Sequence, residues 1–537
     1  MENGILLEEV PVMKRTIALL VAVLMLFTVS AVCEEQPSAS VYTMAGFDST
    51  EGRNWDSNAF FSRMQNITGV QFSFVQKSNV NDWHSYIESL KSADSPLPHV
   101  LFKADLYGYE TVELYEQGIL VDLKPYLNTY CPNLCALLEQ YPDVLDAITL
   151  HIGGEDVIPV LPFINETPVN CGIWVNKNWL TAAGMKIEDI TSIEMFETML
   201  RKFKEIGDVP LGFLGSFDLK FLAHMWGMYA NNYNMYLDEN GVARFMPEDE
   251  NFYPFIETLH RWYQEGLIDR DGYIKSDTTR QITSSSSKNP YGVIITTSVT
   301  NFLPAEWNKD YVMLAPIPYD GKVYYRDYFG HAITGTFALT STCTEEDIGV
   351  LLGWVDFLYS PEGAVLASIG EKNSEYLVPD DSEDKMDVTA MLADGSYRWT
   401  LKNESSTGAM TDMRVNRLIT GDATAPGYSG DAFQKLYSSS EIAVMFAQHE
   451  KLNSAASLPF PYYALTREQL TRISRLQNGE GTARGIGYTV DEQMALWILG
   501  EEELTEESYR AFIDTLYTMG LQEFKDFWQD VADASKQ

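Results

Sequence analysis

Between Val41 and Phe102 the sequence switches repeatedly between two hydrophobic periods, and that rhythm constrains the fold more than any other feature. Val41-Tyr42-Thr43-Met44-Ala45 reads as a strand, Trp55 to Ile67 as an amphipathic helix, and Val70-Gln71-Phe72-Ser73-Phe74 alternates with a period of two. Asp82 to Leu90 returns to helical spacing, and His99-Val100-Leu101-Phe102 is a short buried strand. Strands alternating with helices predict an α/β fold with a parallel sheet covered on both faces. Ligands of such sheets bind beyond the carboxyl ends of the strands. Phe47 and Asp48 follow the first strand, and Lys103 and Asp105 the third, which makes these four candidate ligand-binding residues. A solvated loop, or a helix N-cap for Asp48 or Asp105, is the competing reading.

The pattern then changes. Ile158–Phe163 is extended, and Cys171–Asn176 is a strand leading into a helix near Trp179. Val209–Leu214 reads as another strand, Phe252–Glu265 as a helix, and Asn240-Gly241 in LDENGVARF is a hairpin turn signal. Gln281–Pro290 is a polar loop, Ile333–Leu339 returns to strand, a helix follows around Gly353 to Tyr359, and the chain from Asp412 onward reads as mainly helical. No internal repeat is visible. A chain of this length exceeds one ordinary core and implies two lobes.

Lys14-Arg15 precedes an uncharged apolar run, TIALLVAVLMLFTV, and then small residues Ser30 and Ala31. A basic region, a short apolar run and a small-residue exit predict a secretory signal peptide over residues 1–33. The run is short for a bilayer, since a spanning helix needs about 20 apolar residues. Met13 stands directly before the basic pair, so translation from Met1 or from Met13 both fit. Cys33 is a candidate lipid tether, although Val32 stands where the attachment pattern wants a small residue. The expectation is an exported protein at the extracellular face, tethered or freely secreted. No second apolar run follows, so the mature chain is expected to be soluble.

Asp and Glu number 76 against 38 Lys and Arg, a formal net charge of −38. Phosphate binding needs a basic face, so this charge argues against nucleic acid and anionic membrane as partners. Cys131, Cys135, Cys171 and Cys343 lie beyond residue 33 and could form disulfides outside the cell, or stay as buried thiols. Their spacing does not resemble a zinc site, and the seven histidines form no metal or catalytic motif, so no cofactor or metal is expected.

Several segments in order resemble the family 1 extracellular solute-binding proteins of ABC transporters, in the long branch often labelled aldouronate or complex-oligosaccharide lipoproteins. They are YEQGILVDLKPYL (115–127), EDVIPVLPF followed by CGIWVNKNWLTAAG (171–184), GTFALTSTCTEEDIGVLLGWVDFLYSPEGAVL and the terminal WILGEEELTEESYRAFIDTLYTMGLQEFKDFWQD (497–530). The segment IGEKNSEYLVPDD keeps little of the family's glycine-rich wording. The resemblance implies a two-lobed periplasmic-binding-protein-like fold (type II), with hinge-connected lobes closing on a ligand held in the cleft. It also implies an oligosaccharide ligand, ABC permease subunits as partners, a monomer and no catalytic residues. On this basis residues 34–164 begin lobe one and 165–332 begin lobe two. Residues 333–390 return to complete lobe one, and 391–537 form a mainly helical part packing on lobe two.

A sugar site wants aromatic platforms beside planar hydrogen-bonding groups. Asn165 follows the first crossing, and Trp174 lies in the crossing strand. Trp226 and Tyr229 lie in HMWGMY, Arg326 precedes the return crossing, and Trp399 sits in GSYRWT. Arg326 could clamp a uronate carboxylate bidentately. Core packing is the competing reading for each tryptophan. Two other classes stay open: a secreted carbohydrate-active enzyme using paired carboxylates, which have no fixed sequence spacing, and a binding protein for peptide or another small solute.

Overall fold

The computed structural model describes residues 41–48, 54–165, 171–229, 234–273, 289–296, 305–325, 331–368 and 465–534, with short stretches at 299, 302–303, 376–377, 400–401, 414–415, 448 and 452–457. The expected signal peptide, Cys33, Arg326 and Trp399 lie outside the described residues, as does the side chain of Asn165.

Thirteen strands lead the description: β1 (Val41–Phe47), β2 (Gln71–Lys77), β3 (Val100–Phe102), β4 (Leu150–Ile152), β5 (Glu155–Val157), β6 (Leu161–Asn165), β7 (Gly172–Asn176), β8 (Val209–Gly212), β9 (Met235–Leu237), β10 (Ala243–Phe245), β11 (Tyr291–Thr296), β12 (Tyr311–Met313) and β13 (Ala332–Leu339). The first lobe holds a six-stranded sheet in the order Arg414–Val415, β6, β13, β3, β1, β2. The second holds a four-stranded sheet in the order β12, β7, β11, β8. The chain crosses between the sheets from β6 to β7 and from β12 to β13.

The alternation read from the first hundred residues is present, but the sheet is mixed rather than all parallel. β1 and β3 are parallel, whereas β13 runs antiparallel to both β3 and β6. The reason is the return crossing: β13 re-enters the first lobe from the opposite end. Its register shifts between Ile333 and Phe337, where Gly335 takes φ +78°. The chain beyond Asp412 is also not wholly helical, because Arg414–Val415 pairs in parallel with β6 and extends the first lobe's sheet. Two residues carry no readable period.

Local sequence explains the helix boundaries. Asn58 accepts a bond from the Phe60 amide at 2.9 Å, opening the helix Ala59–Thr68, and Gly69 at φ +75° ends it. Asn79 caps Val80–Ser89 in the same way. Thr344 and Asp347 form a capping box at the start of Glu345–Tyr359. That helix buries Trp354 against Phe60, Phe72, Phe102 and Phe337, fixing it to the sheet. The hairpin expected at Asn240-Gly241 joins β9 to β10, with Asp238 accepting from the amides of Asn240 and Val242.

Four C-terminal helices, Arg467–Asn478, Ile486–Leu499, Glu506–Thr518 and Leu521–Ala534, finish the second lobe. Ile473, Met494, Trp497 and Phe524 share one core with Trp226, Phe255 and Trp262. A buried ammonium pins one of them: Lys220 contacts Asp491 of Ile486–Leu499 at 2.5 Å, and Asn234 at 2.8 Å. Among the described residues, no helix is long and apolar enough to cross a membrane.

Candidate functional site at the strand ends of the first lobe

β1 and β3 pair through Met44–Val100, Ala45–Leu101 and Gly46–Phe102, so their carboxyl ends stop side by side. Gly46 is required there, because a Cβ would lie 2.3 Å from the Trp55 ring and 2.0 Å from the Phe102 carbonyl oxygen. Trp55 lies over the strand end, and its indole Nε1 donates to Asp48 Oδ2 at 3.1 Å. Lys103 Nζ meets the same oxygen at 3.1 Å. Asp48 and Lys103, both candidates, are therefore brought together, but they face each other rather than solvent. Their side chains are 0 % and 6 % exposed. A paired, dry carboxylate and ammonium hold a strand end in place; they do not offer free hydrogen bonds to a sugar.

The next residues come outward. Lys103 and Asp105 have φ of +50° and +43°, a left-handed kink that reverses the chain after β3. The kink is held by Ala104 N to Thr336 O at 3.0 Å and Leu106 N to Gly335 O at 3.2 Å. Asp105 is half-buried, and burial pushes its carboxyl above the usual aspartate range, against the opposing pull of His84. Tyr107, 45 % exposed, stacks on His84 with ring centroids 4.0 Å apart and planes 9° apart. Glu110 is buried beneath, accepting from the Tyr107 amide at 2.8 Å and contacting His84 Nδ1 at 2.8 Å. Burial pushes the Glu110 carboxyl up, opposed by those two bonds. Tyr109 adds a second ring 5.6 Å from Tyr107, with the Arg467 guanidinium 4.5 Å above it.

This lip of Asp105, Tyr107, His84 and Tyr109 joins an exposed aromatic face to a half-buried carboxylate, the pairing that a sugar ring uses. Sequence reading found Asp105 and missed the tyrosines. Two tyrosines flanking Gly108 just after a strand end were the available signal. Phe47 is half-buried against the first lobe's core.

The second-lobe candidates divide differently. Trp174 is buried in the sheet and donates from Nε1 to the Thr296 carbonyl at 3.0 Å. Trp226 packs on Phe255 and Trp262 at 5.1 and 6.3 Å, inside the same core. Both hold the scaffold as placed here. Tyr229 accepts a bond from Ser457 at 3.0 Å and faces Tyr236 and Tyr324. The backbone of Asn165 pairs with Val415 at the end of β6. Among the described residues, no cluster of His, Cys, Asp or Glu could hold a metal ion. Cys131, Cys135, Cys171 and Cys343 are free thiols.

Two mixed α/β lobes joined by crossing segments form a two-lobed, periplasmic-binding-protein-like fold. Known structures share that fold. Over 313 residues the chain is 21 % identical to the fructooligosaccharide ABC transporter substrate-binding protein FusA of Streptococcus pneumoniae serotype 4. That match covers 55 % of each chain, so the chain spans about half the length of the curated relative it matches. An extracellular solute-binding protein from Bifidobacterium longum subsp. infantis superposes with a TM-score of 0.67 at 17 % identity, over 93 % of this chain and 99 % of that one. Streptococcus pneumoniae FusA in complex with kestose gives 0.61 at 16 %, with the same coverage. The Streptococcus pneumoniae N-glycan transport solute-binding protein NgtS gives 0.56 at 14 %, over 92 % and 98 %. No protein-family model matches the chain.

Proposed function

We propose that this chain is the extracellular substrate-binding component of an ABC importer, capturing an oligosaccharide between two lobes and presenting it to permease subunits. The carrying observation is the pair of sheets joined by crossings, with an aromatic and acidic lip where β1 and β3 end. Lobes linked by a few segments can rotate, and a ligand that binds the closed form better shifts the population toward it. Permease subunits can then tell loaded from empty protein. The relatives are named as binding proteins for fructooligosaccharide and N-glycan, which favours capture over turnover. Residues 1–33 direct export in this reading, and the acidic surface keeps the protein off anionic lipid.

The test is a thermal-shift and calorimetric screen of the full chain against neutral and uronic-acid oligosaccharides, with chromatography of the sugar afterwards. A saccharide that raises the melting temperature and is recovered intact supports capture. Cleaved sugar would convert the assignment to a carbohydrate-active enzyme, and a peptide binding in place of every saccharide would overturn it.

A further inference from the structure

The second lobe carries a cavity of about 820 Å³ that the strand-end lip does not use. It lies between the β9–β10 hairpin and the segment Tyr319–Tyr324, and four tyrosines line it: Tyr229, Tyr236, Tyr319 and Tyr324. Their rings form a connected wall, with centroids 5.7 Å apart for Tyr229–Tyr236, 5.3 Å for Tyr229–Tyr324 and 6.4 Å for Tyr319–Tyr324. The wall is fixed from behind. Tyr236 donates to Asp249 at 2.9 Å, Tyr319 donates to Asn251 at 3.2 Å, and Tyr319 lies flush on Gly227, whose Cβ would be 2.6 Å from its ring. Rigid aromatic faces lose little entropy when a ligand stacks on them.

The charges around the wall decide what can enter. Six carboxylates and three cations line the cavity. Each cation is already held by a lining carboxylate: Arg244 by Asp238 at 2.8 Å, Lys322 by Glu239 at 2.6 Å, and Lys525 by Glu248 at 2.6 Å. Glu250 and Asp320 add negative charge and acceptor oxygens to the lining, and Asp249 adds charge while accepting from Tyr236 and the Asn251 amide. Among the described residues, a uronate or phosphorylated sugar would find unbalanced negative charge, with each lining cation already facing a carboxylate. A neutral sugar would find ring faces for its C–H groups and carboxylates to accept from its hydroxyls. The volume lies within the range of ordinary small-ligand sites, roughly 300–1,000 Å³.

We infer that this cavity is a second saccharide-binding site, selective for uncharged sugar rings, and separate from the Asp105–Tyr107 lip. It rests on the carbohydrate reading above. The experiment is calorimetric titration of the full chain with kestose, chitotriose and trigalacturonate. Val242→Trp, at an exposed position on the cavity lining, fills the space without removing a core contact, and Tyr319→Ala removes one face of the wall. Kestose or chitotriose is expected to bind wild type, with affinity falling at least about tenfold, or one class of sites disappearing, in both variants. Trigalacturonate is expected to bind at least about tenfold more weakly than the neutral sugars. Neutral-sugar binding that is unchanged in both variants overturns the cavity assignment and leaves the capture reading standing. Trigalacturonate binding tightly and being lost in Val242→Trp overturns the charge selectivity. If none of the three sugars, nor any other saccharide, binds wild type, the carbohydrate reading itself falls.

Discussion

Arg467 and Glu113 meet through two hydrogen bonds, Nε to Oε1 at 2.7 Å and Nη2 to Oε2 at 3.0 Å, and they belong to different lobes. Glu113 lies on the helix that follows the Tyr107 lip. Arg467 opens the helix whose Ile473 and Leu476 sit in the second lobe's core. Glu88 and Lys91 of the first lobe complete the cluster. The helix Arg467–Asn478 thus shares the second lobe's core and also clasps the first lobe.

This clasp is expected to depend on pH. The Arg467 hydrogen bond holds the Glu113 carboxyl at about 2, below its ordinary 4.5. A depressed acid stabilises the fold when ionised, so the contribution is complete above pH 4.5 and fades as pH falls toward 2. Glu113→Gln should cost about 0.5–1 kcal/mol at neutral pH, because both partners are partly solvated. The difference from wild type should vanish in acid and shrink in high salt. Urea titrations across pH check this.

Asp48→Ala should be far more damaging. It takes the Asp48 carboxylate away from the buried Lys103 ammonium, and breaking such a pair costs roughly 3–5 kcal/mol. Asp48→Ala combined with Lys103→Met should recover much of the loss by removing the buried charge that Asp48 balanced. Chemical denaturation of the two variants makes the comparison, and equal instability in both would show that the pair is not the cause.

Tyr107→Ala and Trp226→Ala should separate binding from folding. Tyr107 is exposed and stacked on His84, so its loss should weaken saccharide affinity about tenfold with little change in melting temperature. Trp226 is 6 % exposed inside the core, so its truncation should cost about 3–5 kcal/mol of stability. Thermal melts paired with calorimetry read both effects.

The thiols should be inert. Burial pushes Cys343 up to about 12 and raises Cys131 further, so neither supplies a reactive thiolate near neutral pH. Dithiothreitol should leave the melting temperature unchanged, and a thiol reagent should label the buried Cys131 and Cys171 only after unfolding.

Much of the framework was legible because it depends on period and punctuation. β1, β3, β7 and β13 and the Asn240-Gly241 turn all follow from local residue choice. The site was less legible because it depends on register and on distant partners. Asp48 and Lys103 were correctly placed at strand ends, yet only the β1–β3 register and Trp55 turn them toward each other. Trp174 and Trp226 satisfy the composition of a sugar site and of a core equally well, and packing alone separates them. Tyr107 gains its platform from His84, on another helix, which no local pattern reveals. The Arg467 clasp joins residues 354 positions apart.

The bulge in β13 has a mechanical meaning. Gly335 lies so close to Leu106 that a Cβ would be 2.5 Å from its carbonyl oxygen, and two backbone bonds fasten 104–106 to 335–336. The strand that carries the chain back from the second lobe is thereby bolted to the loop bearing Asp105. A displacement of β13 reaches that loop through backbone alone, with no flexible side chain in series to absorb it. Strand and loop form one unit, so a displacement of β13 re-aims the Asp105–Tyr107 lip.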